Sequence, residues 1–238
     1  MTATPIAPRR PIDASLTHLV VPPRAPADGR PPALLLLHGR GSDERDLVGL
    51  AGALDPQLMI VSARAPMPLG PGYHWYDLHR VGEPEPEGFR HSLELLDRFV
   101  DEIVAGYGID PARVFLLGFS QGAMMAGALT LIRPERVAGA GLLSGYLPLR
   151  SGLAIDEAGV RGRPVFVGHG MSDGVIGIEF GREAHAFLTR IGADVTYREY
   201  PIAHQIADAE RRDIAAWLTE RLDGPAVAAA TDEATGLA

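Results

Sequence analysis

With 238 residues, 46% of them apolar, and a formal charge of −8, the chain has the length and composition of one globular domain, and its scattered basic residues argue against a nucleic-acid or anionic-membrane partner. It has no cysteine, which excludes disulfides, thiolate metal sites and a thiol nucleophile. All 22 basic residues are arginine, so lysine Schiff bases, a Walker lysine and a Ser-Lys dyad are excluded as well, and a covalent hydrolase would draw its base from histidine or a carboxylate.

Residues 1–12, rich in proline and alanine, read as a flexible arm. Arg9 and Arg10 are followed by no apolar stretch of the kind a secretory leader carries. Nowhere do about 18 apolar residues run together, so no stable membrane insertion and a cytoplasmic location are expected. Residues 16–21 predict an edge strand, and 22–32, studded with proline and glycine, a connection. The wholly apolar 33–37 has the pattern of a strand buried on both faces. It runs into His38-Gly39-Arg40-Gly41, after which Ser42 and Asp43 offer caps for a helix over 44–53. Another buried strand is expected at 58–61. Residues 64–90 then read as one long loop, rich in proline, glycine and aromatic residues, and a loop of that length is functional or mobile.

Helical spacing returns over 89–107, with Leu93, Leu96, Phe99, Val100, Ile103 and Val104 on one side. A strand from 114 leads to a helix over 123–131, and further strands are expected at 137–143, 164–167 and 195–200. Helices are expected at 176–191 and 207–222, and the Ala/Thr-rich 223–238 reads as a disordered tail. Strands thus alternate with helices from residue 33 on. That alternation predicts a single α/β domain over 13–222, its mostly parallel sheet covered by helices on both faces.

The strand from 114 stops at Gly118-Phe119-Ser120-Gln121-Gly122, a G-x-S-x-G pattern between strand and helix. A sharp turn there would lift the Ser120 hydroxyl clear of the backbone, and the two glycines would let strand and helix approach; this is the context of a nucleophile elbow. Ser120 is the candidate nucleophile. A second G-x-S-x-G, Gly170-Met171-Ser172-Asp173-Gly174, is followed by the bulkier Val175, Ile176 and Ile178 rather than by small residues, and is rejected as an elbow.

A serine hydroxyl needs an adjacent base. In proteins with such an elbow the partners follow in the order Ser, acid, His, on loops after later strands. Of the three histidines beyond Ser120, His185 falls inside a predicted helix and His169 precedes any suitable acid. His204, in the loop after the last strand, is the candidate base. Asp173, just past the strand at 164–167, is the candidate acid in preference to Asp156 and Asp194, and would hold the imidazole and stabilise its charged form. The oxyanion would be bound by two backbone N–H groups, those of Gln121 and of Arg40 in the first loop. His38 is expected to orient that loop. Pairs such as His91 with Glu94, or Glu183 with His185, read as solvated helix faces, and no metal or other cofactor is expected.

With these residues identified, the chain resembles the phospholipase/carboxylesterase family of α/β-hydrolases, relatives of acyl-protein thioesterases. The resemblance rests on residues 34–41 with their HGxG loop, on Trp75-Tyr76-Asp77, on the GFSQG elbow, on Ser144-Gly145, on the HGxxD loop 169–173 and on His204, and it covers about 16–222. It implies the α/β-hydrolase fold, with catalysis by Ser120, Asp173 and His204 and oxyanion binding by Arg40 and Gln121. The activity implied is that of a serine carboxylesterase working through an acyl-enzyme on a small-molecule ester. Arg40 stands where the thioesterases commonly carry an apolar residue, and the loop 38–47 resembles that of the bacterial esterase branch, which favours small soluble or lipid-like esters over acyl proteins. Trp75, Tyr76, Tyr146 and Leu147 are placed to line an acyl pocket. An acyl thioesterase or lysophospholipase is the alternative within the family, and a non-catalytic ligand-binding relative the alternative outside it. A homodimer is compatible with all of these.

Overall fold

The computed structural model describes residues 11–223; residues 1–10 and 224–238, most of the arm and tail expected from the sequence, lie outside the described residues. In chain order the elements are β1 (His18–Val21), β2 (Ala33–Leu37), β3 (Met59–Ala63), β4 (Met67–Leu69), β5 (Gly72–His74), β6 (Leu78–Arg80), β7 (Glu83–Pro84) and α1 (Pro86–Tyr107). They continue with β8 (Val114–Phe119), α2 (Gln121–Ile132), β9 (Gly139–Leu143), α3 (Glu157–Val160), β10 (Pro164–Gly170), α4 (Ile178–Arg190), β11 (Asp194–Tyr200) and α5 (Asp208–Asp223).

Seven strands form the central sheet in the order β1-β3-β2-β8-β9-β10-β11. β1 pairs antiparallel with β3, and every other pairing in that sheet is parallel. The five residues of β2 are all buried because successive side chains enter opposite cores. Leu35 and Leu37 join the layer beneath α1, α2 and α4, while Leu34 and Leu36 join the layer beneath α5 and the segment Leu47–Ala53. α2 is buried on every side from Gln121 to Leu131, as a helix with no polar face must be. Since the strands run parallel, their carboxyl ends lie along one edge, and the loops after β2, β8, β9, β10 and β11 meet there.

Several expectations change. The helix expected over 44–53 is a 3-10 segment, Leu47–Ala53, and neither Ser42 nor Asp43 caps it. Asp43 instead accepts the N–H of Arg45 at 2.8 Å in a local turn, and Glu44 turns inward to meet Arg64 at 2.6 and 2.7 Å. The loop expected over 64–90 contains two short hairpins, β4–β5 and β6–β7. α1 begins earlier than its apolar spacing suggested, at Pro86, because Glu85 caps it by accepting the N–H groups of Glu87 and Gly88. Ile12, assigned to the arm, donates its N–H to the Tyr107 hydroxyl at 3.0 Å. Among the described residues no helix is long and apolar enough to cross a membrane.

Candidate active site

β8 delivers Ser120 into a backbone conformation with φ 53° and ψ −118°, one of two positive-φ non-glycine residues described. Such a conformation is strained for a residue with a Cβ and persists only where its surroundings impose it. The surroundings here are two glycines. A Cβ on Gly118 would overlap the carbonyl of Gly122, and one on Gly122 would overlap the carbonyl oxygen of Leu37. α2 can therefore start immediately after β8 and press against the end of β2. The Ser120 N–H is held by the Leu143 carbonyl at 2.8 Å, which leaves the side chain at the sheet edge, 9% exposed.

His204 reaches Ser120 from the loop after β11. Its Nε2 lies 2.9 Å from Ser120 Oγ and its Nδ1 2.7 Å from Asp173 Oδ2. The second oxygen of Asp173 accepts the N–H groups of Val175 and Ile176, both at 2.9 Å. Burial pushes the Asp173 carboxyl up, but the bond from His204 and those two N–H groups outweigh it and hold it below the ordinary aspartate range. The loops carrying acid and histidine are tied together by Met171 N–H to Tyr200 O at 2.7 Å and Ser172 N–H to Ile202 O at 3.0 Å.

Arg40 and Gln121 sit where the first loop meets the elbow, with Gly39 packed against Phe119 and Ser120. Neither backbone N–H of Arg40 nor that of Gln121 has an acceptor among the described residues. The Arg40 side chain points to solvent. Both nitrogens of His38 are committed to the loop: Nδ1 donates to Gly39 O at 2.7 Å, and Nε2 accepts the Ala65 N–H at 3.0 Å. Burial lowers its pKa, and the bond to Gly39 and the nearby Asp46, Asp43 and Glu44 only partly offset that. The ring is thus a neutral strut.

The residues expected to line an acyl pocket separate into two pairs. Tyr146 and Leu147 border a cavity of about 240 Å³ together with Gly82, Arg150 and Phe180. Trp75 and Tyr76 do not; both are fully enclosed, which departs from the pocket-lining role expected of them. The Trp75 indole N–H donates to His38 O at 3.0 Å, and the Tyr76 hydroxyl donates to Met124 Sδ at 2.9 Å. Aromatic residues in a Pro/Gly-rich stretch read as pocket lining from sequence, but here they are the plugs by which the stretch is fastened to the core.

Two contributions were not foreseen. The Gln121 side chain accepts the Trp75 N–H at 2.8 Å and donates to Tyr76 O at 2.7 Å, so the residue after Ser120 also clamps the β5–β6 connection. His169, fully buried beside Gly181 of α4, donates from Nε2 to Ile176 O at 2.8 Å and so braces the turn that carries Asp173. Its place immediately before Gly-x-x-Asp could have raised the question, but its partner could not be read. His185 stacks on Tyr197, with centroids 4.5 Å apart.

A mostly parallel sheet with a strained serine between β8 and α2, and a histidine on the loop after the last strand, is the arrangement of the α/β-hydrolase fold. A solved structure of the carboxylesterase of Bacillus cereus superposes with a TM-score of 0.79 at 25% identity, covering 88% of this chain and 96% of that one. Acyl-protein thioesterase 1 of Debaryomyces hansenii is 29% identical over 147 residues, covering 58% of this chain and 63% of its own. A probable carboxylesterase of Oryza sativa subsp. japonica is 35% identical over 145 residues, covering 60% and 61%. Both matches span less than two thirds of the relative's length. The profile of the Phospholipase/Carboxylesterase family matches residues 18–221, and the chain belongs to that family.

Proposed function

We propose that the protein is a serine carboxylesterase that hydrolyses small-molecule carboxylic esters through an acyl-enzyme, with Ser120 as nucleophile, His204 as general base and acid, and Asp173 as the residue that holds His204. The observation that carries this reading is the continuous relay from Ser120 Oγ through both nitrogens of His204 to Asp173 Oδ2, at 2.9 and 2.7 Å. With Asp173 ionised, His204 carries its proton on Nδ1 and offers a free Nε2 to the serine. As Ser120 Oγ attacks the ester carbonyl, its proton passes to Nε2, and the imidazolium forms against the Asp173 carboxylate. The oxyanion finds the N–H groups of Arg40 and Gln121, which need no reorganisation to receive it. Collapse breaks the bond to the alcohol oxygen, which leaves with the proton from Nε2. Water then repeats the sequence on the acyl-enzyme and frees the acid. Every step uses groups already in place, and the scheme calls for no cofactor.

The test is a fluorophosphonate probe with p-nitrophenyl esters. Covalent labelling at Ser120 together with ester turnover is expected; an unlabelled Ser120 in a folded protein removes the proposal. Acyl thioester hydrolysis is the second reading, favoured by the similarity to a protein named as an acyl-protein thioesterase, and the ratio of thioester to oxoester turnover at equal acyl chain decides between them.

A further inference from the structure

The described part of the molecule holds a cavity of about 400 Å³ that the sequence did not suggest. It lies between the 3-10 segment Leu47–Ala53 and the start of the connection to α5, and one of its walls is His204 itself. Its lining is mixed: Leu47, Leu50, Phe119 and Ile206 are apolar, and Asp46, His204, Gln205 and Arg211 are polar. The Phe119 ring lies 4.9 Å from the His204 imidazole, so the apolar part of the lining reaches the catalytic ring. The cavity bordered by Tyr146 and Leu147 has no wall from Ser120, His204 or Asp173.

Resting on the esterase reading above, we infer that the cavity against His204 is the binding site for the alcohol half of the ester, and that it takes an alcohol or phenol with a hydrophobic body rather than an anionic one. The side follows from proton transfer. The leaving oxygen must lie within hydrogen-bond reach of Nε2, the only group of the relay that can protonate it, so whatever hangs from that oxygen projects past the imidazole. A cavity walled by that imidazole and lined in part by hydrocarbon is where it goes. The volume lies within the range of ligand pockets and has ample room for a ring. The charge follows from the rim. Asp46 and Arg211 both border the cavity, and Arg211 is half exposed with its nearest acid, Asp208, 3.6 Å away. Paired with Asp208, Arg211 is no free cation for an anionic alcohol, while Leu47, Leu50, Phe119 and Ile206 reward a flat hydrophobic body.

Gly49 also borders the cavity, and a Cβ built on it meets nothing within 4 Å. Gly49→Leu therefore adds bulk at the border of the cavity without displacing core atoms, and Ile206→Trp adds it from the connection to α5. The measurement is the ratio of kcat/KM for phenyl acetate to that for methyl acetate, alongside an acyl chain-length series of methyl esters. Both alcohols give the same acetyl-enzyme, so the ratio isolates the alcohol half. Each variant is expected to lower the ratio about tenfold or more relative to the parent and to leave the shape of the acyl series as it was. A ratio unchanged in both variants, or an acyl series that changes shape instead, overturns the assignment. Fluorophosphonate labelling of Ser120 in each variant shows that the relay is intact. A parent that fails to label counts against the esterase reading itself, not against the side of the site to which the alcohol is assigned.

Discussion

Two stretches of this chain share the pattern G-x-S-x-G, and the structure uses them in opposite ways. Around Ser120 both glycines are sterically compulsory, because a Cβ on Gly118 or Gly122 would overlap backbone, and the serine is forced to positive φ. Around Ser172 only the first is: Gly170 lies against the Ala203 carbonyl, whereas a Cβ on Gly174 would meet nothing within 4 Å. Ser172 is exposed, and its N–H is spent on Ile202. The pattern alone is thus indifferent; what makes an elbow is a helix that begins at once and is pressed onto a neighbouring strand. The second pentapeptide contributes its fourth residue, Asp173, and not its serine.

The sharpest way to break that contrast is to exchange the serines' fates. Ser120→Ala should lower kcat by about 10⁴ or more without unfolding the protein, since members of a catalytic relay act as a unit. Undiminished ester turnover would take the role away from Ser120. Next come the glycines. Gly122→Ala should cost more than about 4 kcal/mol or abolish folding, since the Leu37 carbonyl it meets is backbone and cannot move aside, while Gly174→Ala should stay within about 0.5 kcal/mol. Urea titrations of the two variants measure this, and equal losses would erase the distinction.

The roof of the elbow gives a third comparison. Trp75→Ala, which empties a fully buried site hung from Gln121 and His38, should cost about 3–5 kcal/mol and depress all esters alike rather than long-chain esters selectively. Melting temperatures beside a chain-length series decide it. The floor beneath the second pentapeptide titrates. Glu210, in the first turn of α5, is fully buried with one carboxyl oxygen pressed against Gly168 of β10. Burial, with neither carboxyl oxygen hydrogen-bonded among the described residues, raises its pKa from 4.5 to about 7, and the nearby Asp213 adds to it. The folded state then keeps a proton that the unfolded chain gives up, so its contribution to stability is retained below about pH 4.5 and lost as pH rises to about 7. The loss is about 3 kcal/mol, and the difference between Glu210→Gln and the parent across that pH range should show it. A pH-independent difference would refute it. The smallest effect belongs to Ser172→Ala, expected within about 0.5 kcal/mol in stability and without loss of turnover.

How much of this was legible depended on where the information lay. β2 reads directly from five consecutive apolar residues, because burial on both faces leaves no polar position. The candidate relay was legible because each member stands just past a strand end, in chain order. The 3-10 segment was not: Asp43 and Glu44 look like helix-start residues, and only their partners, Arg45 and a distant Arg64, show otherwise. The hairpins of 64–90 have strands of two or three residues, too short for any period to appear. The burial of Trp75 depends on a side-chain amide 46 positions away in sequence, which composition cannot reveal.

The bonds from Met171 to Tyr200 and from Ser172 to Ile202 have one more consequence. They prolong the β10–β11 ladder past the ends of its strands, so acid and histidine ride on one stiff sheet extension while the serine rides on another strand. Amide protons at 171 and 172, in a loop open to water, should therefore exchange with deuterium as slowly as those of the sheet interior, and should begin to exchange only when β11 itself detaches.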